Sequence, residues 1–492
     1  MKGPIVIRTR SRLTGRRSAA LSVALVSWGI IVPVCLAASV PLPTLRGPLP
    51  SPVREGIRVW GVGKLNYSAS EYLVSGYANV YAPVSMADSR VMSMSASVNT
   101  RELARQASYV PRLRRRNAPY TSRIIVYKPN DPGKFSGNVV MEITHPAAGG
   151  IAIVWRMLNG FFIAHGDAYV VVQHPLTFRG LRQADPARYG SLHAVDPTQI
   201  WGMVAQVGVL IRSNSPRSPL AGYRVRHLFL TGYSYTGVAT ATFADYYHNG
   251  ARMKNGAPIF SGYLPFASAM YVRPLDVPVI RVNTQSDFNS YGGLNNRRQD
   301  SDAPNDRYRL YEVAGASHAN ESPVIVPHAT PPRPIKLQQA SGLPKGGAMM
   351  RCRSRFPSGA KPNTLPLNYV LAEAFLNMYR WVNDDVAPPR TPFIATRANG
   401  QPKLDRNGNA VGGLRLPGLM VPSATYGIGP GGCWLLGYEV PFTDAKMKAM
   451  YGTHQAYVAD VKRAAREDVG RRLISAEAAR AIVTKAEAMP AF

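Results

Sequence analysis

The sequence predicts an α/β fold in which a mostly parallel central sheet is flanked by helices. Short apolar runs recur through the middle of the chain, turn residues end them, and helical patterns lie between them. Largely apolar runs of this length are typical of strands buried on both faces of a parallel sheet. The five runs that we assign as strands are GNVVMEITH (137–145), AYVVVQH (168–174), HLFLTGYS (227–234), VPVIRVNT (277–284) and YRLYEV (308–313).

Helical patterns separate these runs. Asp196 and Pro197 predict the N-cap and the first position of a helix, and apolar residues then recur at helical spacing from 200 to 211. Residues 237–247 predict a second helix directly after the third run. The N-terminal segment before the first run, including residues 121–128, predicts antiparallel edge strands. Because strand and helix alternate, we expect the central strands to pair in parallel.

The C-terminal third of the chain is richer in loops. Proline and glycine are frequent after residue 318, one helix is predicted near 369–383, and further helices are predicted towards the C terminus. We therefore interpret residues 39–492 as a single domain, with 320–443 as a cap or extension and 444–492 as C-terminal helices.

The first 38 residues differ from the rest of the chain. They contain six Lys and Arg residues and no acidic residue, with an apolar run at about 19–36 and small residues at 37–39. This order predicts a signal peptide, and hence export to the periplasm or the exterior. The apolar run is nearly long enough for an uncleaved N-terminal anchor, which is the alternative, and otherwise we expect no membrane span. Arg16 and Arg17 leave twin-arginine export open.

The chain is strongly basic. Its formal net charge is +30, and removal of the six basic residues of 1–38 lowers it to +24. Such a charge raises binding to nucleic acid or to an anionic surface as a hypothesis. The positive residues are scattered apart from Arg112 and Arg114–Arg116, and no nucleic-acid-binding motif is present, so we expect no specific nucleic-acid partner. Metal-ligand spacings, phosphate-binding loops and dinucleotide fingerprints are also absent from the sequence, so we expect no cofactor and no metal.

Two cysteines, Cys352 and Cys433, follow the predicted signal peptide. In an oxidising compartment we expect them to form one disulfide. Two separate buried thiols are the alternative, because the sequence alone does not fix the distance between the two residues.

The segment TGYSYTG at 231–237 places a serine between the third predicted strand and the helix that follows it. A nucleophile elbow occupies such a position, because a sharp strand-to-helix turn exposes the serine hydroxyl and needs small residues on either side. Ser234 is therefore the candidate nucleophile. Gly232 fits the pattern G-x-S-x-G, whereas Thr236 stands at the position of the second glycine.

A serine hydroxyl needs a base, and the partners of an elbow serine follow it in the order acid, then histidine. Asp287 lies directly after the fourth predicted strand, and His318 lies after the fifth. Both therefore fall at the carboxyl ends of strands, where open α/β sheets bind their ligands. We predict that Ser234, Asp287 and His318 form a catalytic triad. The alternatives for the acid are Asp300, Asp302 and Asp306.

Stabilisation of an oxyanion requires hydrogen-bond donors near the serine. We expect the backbone N–H of Tyr235, which follows the nucleophile, to be one donor. The loop after the first predicted strand is expected to supply the other from His145 or Ala147, because Pro146 has no N–H. His145 and His174 each end a predicted strand, and either side chain could line the pocket or bond a backbone carbonyl.

These residues predict a serine hydrolase that cleaves a small-molecule or polymeric carboxylic ester through an acyl-enzyme. Amides and polyesters are sub-cases, since the same triad serves all acyl transfers. The competing hypothesis is a catalytically silent protein that binds an anionic polymer of the cell envelope through its basic surface, with residues 112–116 as the main contact.

Several short motifs are similar to those of a known family. They are GNVVME (137–142), DPARYGSL (185–192), GYS (232–234), GGLRLP (412–417), CWLLG (433–437) and PF (441–442). With them, most of the chain after the predicted signal peptide resembles the bacterial alpha/beta hydrolase domain proteins, a family with exported members. The resemblance implies the α/β-hydrolase fold and a serine nucleophile at Ser234. The chain departs from the family pattern at Tyr235 and Thr236, where glutamine and a smaller residue are expected.

Overall fold

The five predicted strands all lie in one large sheet of the computed structural model. The structure describes residues 39–50, 53, 65–82, 111–146, 150–213, 215–268, 270–288, 296–319 and 352–492. These residues belong to one compact unit, 37–492. The predicted signal peptide at 1–38 and the segment 320–351 of the predicted extension lie outside the described residues.

Strands and helices alternate through the centre of the chain. The strands are β1 (Thr44–Arg46), β2 (Tyr67–Tyr81), β3 (Leu113–Pro129), β4 (Asn138–Ile143), β5 (Ala168–Val172), β6 (His193–Ala194), β7 (His227–Tyr233), β8 (Gly262–Phe266), β9 (Val279–Thr284), β10 (Ser301–Ala303), β11 (Asp306–Val313), β12 (Lys361–Pro362), β13 (Ala424–Ile428) and β14 (Gly437–Pro441). The helices are α1 (Ile153–Ala164), α2 (Phe178–Ala184), α3 (Pro186–Tyr189), α4 (Ile200–Arg212), α5 (Tyr235–Thr242), α6 (Leu367–Asn383), α7 (Pro417–Met420), α8 (Asp444–Tyr451), α9 (His454–Gly470) and α10 (Ala476–Glu487).

The central part of the main sheet is parallel. Its strands lie in the order β1-β2-β3-β5-β4-β7-β8-β9-β11-β10, and β6 pairs with β3. Pairing is parallel from β5 through β4, β7, β8 and β9 to β11, and antiparallel towards both ends. Every residue of β4, β5, β8 and β9 is buried, which explains their largely apolar sequences. The predicted fold class is confirmed.

Helices cover both faces of this sheet. On one face, Trp155 of α1 and Phe375 of α6 belong to one cluster of buried residues. On the other face, Val204 of α4 and Val238 of α5 belong to a second cluster. Helix α6 lies within the predicted extension at 320–443, so this part of the extension contributes to the main core.

A buried carboxylate links β4 to α1. The Oε1 and Oε2 atoms of Glu142 accept hydrogen bonds from the backbone N–H groups of Val154 (2.9 Å) and Trp155 (3.0 Å). The hydroxyl of Tyr169 donates to Oε2 at 2.5 Å. Since the N-cap residue of α1, Ala152, makes no side-chain cap, Glu142 satisfies N–H groups that the helix itself leaves without acceptors. Glu142 therefore fixes where α1 begins.

The N-terminal segment supplies antiparallel strands at one end of the sheet as predicted, and within it β1 is the outermost strand while β3 joins the parallel part. Other elements differ from the expectation. β8 has no counterpart among the predicted strands, because Gly262 and Pro265 are unusual inside a central strand. α5 is shorter than the predicted helix, because the chain widens into a π-helical segment at Phe243–Tyr247.

The C-terminal part contains a small second sheet and the disulfide. β12, β14 and β13 form an antiparallel sheet in that order. Cys352 and Cys433 form a disulfide with a Cα–Cα distance of 5.5 Å, which confirms the predicted pairing. α8 begins at Asp444 as predicted. In the described part of the chain, no helix combines the length and apolar character needed to cross a membrane.

Candidate active site

The strand-to-helix turn at Ser234 has the geometry of a nucleophile elbow. β7 ends at Tyr233, α5 begins at Tyr235, and Ser234 between them has φ 60° and ψ −124°. Residues other than glycine rarely adopt a positive φ, and the strain persists only where the surrounding structure enforces it. A Cβ atom at Gly232 would lie 2.2 Å from the carbonyl oxygen of Thr236, so only glycine fits there. The turn therefore presents Ser234 at the carboxyl end of β7.

Thr236 does not prevent the sharp turn. Its hydroxyl accepts a hydrogen bond from the backbone N–H of Tyr233 at 2.9 Å and lies 3.0 Å from the carbonyl oxygen of the same residue. The close approach to β8 occurs one residue later, at Gly237, where a Cβ atom would lie 2.1 Å from the carbonyl oxygen of Phe266. The requirement for a second glycine is thus met at 237, and Thr236 braces the turn.

The three residues predicted as a triad are hydrogen-bonded to one another, and we refer to them as the serine triad. The Oγ atom of Ser234 lies 2.7 Å from Nε2 of His318, and Nδ1 of His318 lies 2.7 Å from Oδ1 of Asp287. Asp287 is fully buried, whereas Ser234 and His318 keep 8% and 7% of their exposure. When Nδ1 carries the imidazole proton and donates a hydrogen bond to Asp287, Nε2 is unprotonated. It can then accept a hydrogen bond from the serine hydroxyl.

Neighbouring side chains hold the acid and the base in place. The Oδ2 atom of Asp287 accepts hydrogen bonds from the backbone N–H (2.8 Å) and the hydroxyl (2.7 Å) of Thr284. The backbone N–H of His318 donates to Oγ of Ser286 at 3.0 Å. The hydroxyl of Tyr233 donates to the carbonyl oxygen of His318 at 2.6 Å. Residues that closely precede Asp287 and Ser234 in the chain therefore hold Asp287 and His318 in place.

The alternative acids have other partners. Asp300 accepts a hydrogen bond from the backbone N–H of Leu310, Asp302 pairs with Arg309 and Arg390, and Asp306 pairs with Arg298. Among the described residues, the carboxylate that bonds His318 is Asp287. The geometry therefore selects Asp287 over the alternatives.

The predicted backbone donor at His145 is corrected by the structure. The N–H of His145 donates to the carbonyl oxygen of Ile151 at 2.7 Å, and the N–H of Gly150 donates to the carbonyl oxygen of His145 at 3.0 Å. The loop closes on itself, so an oxyanion would have to displace the bond between His145 and Ile151. Ala147, the other predicted donor, lies outside the described residues. Tyr235, predicted as a donor as well, is the first residue of α5 and follows Ser234 directly.

Two further histidines surround the ring of Tyr235. The imidazoles of His145 and His174 lie with their ring centroids 5.7 Å and 5.6 Å from it. Nδ1 of His174 accepts a hydrogen bond from the backbone N–H of Leu176, which leaves the proton on Nε2, 3.5 Å from the Tyr235 hydroxyl. Burial lowers the pKa of His174 to about 3 and, together with the nearby His318, lowers the pKa of His145 to about 4. Both imidazoles are therefore neutral at neutral pH.

A comparison with known families agrees with this fold. The sequence profile of a family described as Alpha/beta hydrolase domain matches residues 38–484. The chain belongs to this family. A search of curated proteins found no match. The sheet and the family together make the protein an alpha/beta hydrolase.

Solved structures similar to this hydrolase include two bacterial proteins. A protein assigned as a dienelactone hydrolase from Klebsiella pneumoniae is 13% identical with a TM-score of 0.26, over 39% of this chain and 79% of that chain. A poly(3-hydroxybutyrate) depolymerase from Bordetella parapertussis is 13% identical with a TM-score of 0.24, over 42% of this chain and 75% of that chain. These likenesses are too weak to support an inference about the hydrolase.

Trp434 packs against His318, and the sequence analysis assigned it no role. Its ring lies 5.4 Å from the imidazole of His318 at an interplanar angle of 68°. The segment that contains Trp434 is joined to the loop of the base, because the N–H of Ala319 donates to the carbonyl oxygen of Leu435 at 2.7 Å. The disulfide at Cys433 precedes Trp434 directly. The one available signal was the motif CWLLG, which combines the cysteine and the tryptophan.

Within the described residues, no group of His, Cys, Asp and Glu side chains has the arrangement of a metal site.

Proposed function

We propose that the protein is a serine hydrolase that cleaves a carboxylic ester, with Ser234 as nucleophile, His318 as base and Asp287 as the group that orients the base. The supporting observation is the continuous hydrogen-bonded chain of the serine triad, with 2.7 Å at both links. The strained backbone of Ser234 is further support, because it aims the hydroxyl away from the sheet.

The reaction would take place in two acyl transfers. Oγ of Ser234 attacks the ester carbonyl carbon while Nε2 of His318 accepts the hydroxyl proton. The tetrahedral intermediate expels the alcohol, which takes that proton, and an acyl-enzyme remains. Water then attacks the acyl carbon with His318 again as base, and the acid product leaves. Asp287 stays ionised and stabilises the imidazolium in both steps.

The N–H of Tyr235 is our proposed first donor to the oxyanion. Loss of one such donor raises the barrier by about 3 kcal/mol in hydrolases of this type. Ala147 stays the prediction for the second donor, since the N–H of His145 is bonded to Ile151.

Labelling with a fluorophosphonate tests the nucleophile. We expect the wild-type protein to be labelled and Ser234→Ala to be unlabelled. Ser213→Ala is the matched control, because Ser213 lies at the end of α4, where its hydroxyl bonds the carbonyl oxygen of Leu210. Labelling that persists in Ser234→Ala would remove Ser234 as the nucleophile. A panel of acyl esters, with matched amides, then tests the ester as substrate.

We also propose that the protein is exported and that residues 1–38 are removed. The disulfide between Cys352 and Cys433 is compatible with an oxidising compartment. Cell fractionation with mass determination of the purified chain tests this, and we expect a mature N terminus near residue 39. A full-length chain in the cytosol would contradict the proposal.

Binding of an anionic polymer is the second candidate function. Arg112 and Arg114–Arg116 are exposed at the start of β3, and none of them forms an ion pair with a described residue. If this is the main function, the wild-type protein will bind such a polymer with a steep salt dependence and will hydrolyse no ester. Replacement of the four arginines by glutamine would then abolish binding, whereas the proposed hydrolase would keep its fluorophosphonate labelling.

A further inference from the structure

Trp434 lies on the loop that joins β13 to β14, residues 429–436, which we call the tryptophan loop. The two ends of the loop are joined by a hydrogen bond from the N–H of Gly429 to the carbonyl oxygen of Leu436 at 2.8 Å. Inside it, the N–H of Trp434 donates to the carbonyl oxygen of Gly431 at 3.2 Å. The tryptophan loop is therefore a compact turn, and it places an indole ring beside the base of the serine triad.

The tip of the tryptophan loop is open to solvent. Pro430, Gly431 and Gly432 are exposed. A Cβ atom added at Gly431 or Gly432 would meet no atom within 4 Å beyond the adjacent residues. Because the tip does not pack on the rest of the protein, the position of Trp434 depends on how the loop is attached on either side of the indole.

Trp434 lies between two such attachments. On one side, Cys433 is buried and forms the disulfide with Cys352. On the other side, the carbonyl oxygen of Leu435 accepts a hydrogen bond at 2.7 Å from the N–H of Ala319, the residue that directly follows the base. The first attachment is covalent and the second is a backbone hydrogen bond, so the disulfide is the stronger constraint on the indole.

The partner cysteine is supported independently of the disulfide. The N–H of Arg355 donates to the carbonyl oxygen of Cys352 at 3.0 Å, which folds this segment into a turn. Next to it, the ring of Phe356 lies 5.1 Å from that of Tyr438 on β14, and β12 pairs with β14. Loss of the disulfide would therefore leave the small sheet in place and release mainly the tryptophan loop.

We propose that the disulfide between Cys352 and Cys433 positions the base, because it holds Trp434 against His318. With both cysteines reduced, the hydrolase would keep its fold and its serine triad but would hydrolyse esters more slowly. A base is efficient only when its ring keeps the orientation that reaches both the nucleophile and the acid, and a neighbouring ring contact restricts other orientations. This inference rests on the proposed ester hydrolysis.

Activity would then depend on the redox state of the two cysteines. In the reduction, a thiolate of a dithiol attacks one sulfur of the disulfide, a mixed disulfide forms, and the second thiolate of the dithiol displaces the cysteine. The two cysteines gain two electrons and two protons, and the dithiol becomes a disulfide. Exchange with a disulfide-bonded oxidant reverses these steps. The chain would therefore hydrolyse esters more slowly in a reducing compartment than in an oxidising one.

Cys352→Ser tests the proposal, because it removes the disulfide and leaves Cys433 and Trp434 in place. We expect kcat/KM for an ester to fall between about twofold and tenfold, the range for loss of an edge-to-face ring contact. Thermal unfolding checks that the variant is folded. If Cys352→Ser is folded and hydrolyses the ester at the wild-type rate, the proposal is wrong.

Dithiothreitol acting on the folded wild-type protein gives an answer that does not require a folded variant. Mass determination after alkylation counts the free thiols, and kcat/KM should fall as the disulfide opens. Cys352→Ser in the same reductant is the matched control, because it has no disulfide to lose and should be unaffected. An unchanged kcat/KM in the reduced, folded wild-type protein would overturn the proposal.

A double-mutant cycle shows whether the disulfide acts through Trp434. In the Trp434→Ala background, the further change Cys352→Ser should leave kcat/KM unchanged, since the ring contact is already lost. If the two losses multiply instead, the disulfide acts by another route and the proposal fails.

The NMR signal of the His318 imidazole needs no turnover, so it separates this inference from the proposed function. His318→Asn assigns the signal, and the indole ring current should shift it. We expect Cys352→Ser and Trp434→Ala to remove this shift alike. If the shift depends on the disulfide but the wild-type protein neither hydrolyses esters nor reacts with the fluorophosphonate, the proposed function fails and the positioning role stands. A signal that moves in Trp434→Ala but not in Cys352→Ser would overturn the positioning role.

Discussion

Two sets of three hydrogen-bonded side chains in the hydrolase each join a hydroxyl, an imidazole and a carboxylate. They differ mainly in the residue that carries the hydroxyl. One is the serine triad. The other, which we call the tyrosine relay, consists of Tyr263, His248 and Asp276. In the relay, Nδ1 of His248 lies 2.8 Å from the Tyr263 hydroxyl, and Nε2 lies 2.5 Å from Oδ1 of Asp276. Both imidazoles are buried, and both contact a carboxylate.

The environments of the two hydroxyls explain why we propose a nucleophile in the serine triad and not in the tyrosine relay. Ser234 lies on a strained turn at the carboxyl end of β7. Tyr263 lies inside β8, where burial raises its pKa well above the ordinary value, so it is neither exposed nor readily ionised. Asp276 is also partly exposed and bonds Arg252, and the hydrogen bond from His248 holds its pKa well below the usual range. A histidine between a hydroxyl and a carboxylate is thus insufficient for a nucleophilic site.

Replacing Asp287 or Asp276 by asparagine should give the largest difference between the serine triad and the tyrosine relay. Asp287→Asn should lower kcat about 10⁴-fold, because the amide no longer selects the productive tautomer of His318. Asp276→Asn should change kcat by less than about twofold and lower the free energy of unfolding by about 1 kcal/mol, as expected for a partly exposed pair. Steady-state ester hydrolysis and urea unfolding measure the two effects. Equal losses of kcat would mean that the relay takes part in catalysis.

His174, which bonds no carboxylate among the described residues, should make the fold sensitive to acid. The pKa of His174 is lowered from 6.5 to about 3 by burial, so its neutral form stabilises the fold fully above pH 6.5, and this contribution is lost as the pH falls towards 3. The full loss amounts to about 5 kcal/mol. His174→Asn should therefore show a flatter fall in the free energy of unfolding between pH 6.5 and 4.

The control for acid sensitivity is His193→Asn, because His193 is exposed on β6. It should retain the pH dependence of the wild-type protein in urea unfolding at each pH. If His174→Asn and His193→Asn behave alike, the imidazole of His174 is not the buried neutral group described above.

Removal of the hydroxyl from the tyrosine relay should affect stability without affecting chemistry. Tyr263→Phe leaves Nδ1 of His248 without its partner, which should lower the free energy of unfolding by about 1–3 kcal/mol. The rate of fluorophosphonate labelling should stay at the wild-type value. A fall in the labelling rate of the folded variant would connect the relay to the serine triad.

The smallest expected effect concerns the packing of Trp434 on His318. An edge-to-face ring contact contributes about 0.5–1.5 kcal/mol, so Trp434→Ala should lower kcat/KM by up to about tenfold. Trp434→Phe should restore most of the loss, because a smaller ring still contacts the imidazole. A full loss in Trp434→Phe would point to the indole N–H instead of the ring contact.

The parts of the site that could be predicted from the sequence are those with a local signature. Ser234 lies in a strand–turn–helix segment whose glycine and β-branched residues are adjacent in the chain. Asp287 and His318 each follow an apolar strand, and parallel strands bring their carboxyl ends to one edge of the sheet. Their hydrogen bonds therefore follow from the order of the elements.

Features that depend on how a loop folds back, or on contacts distant in sequence, were not predicted. The N–H of His145 is occupied because the loop folds back to Ile151. Trp434 reaches His318 from more than 100 residues away, through a segment with no periodic pattern. β8 contains residues that local propensity excludes from a strand, and its neighbours β7 and β9 decide its conformation.

The sequence by itself determined the order of strands and helices, the elbow and the positions of the acid and base, because periodicity and turn chemistry act over a few residues. Only the tertiary structure decided which donors are occupied and which aromatic ring packs against His318. Those outcomes depend on burial and on partners from other parts of the chain, and a local sequence pattern predicts neither burial nor such partners.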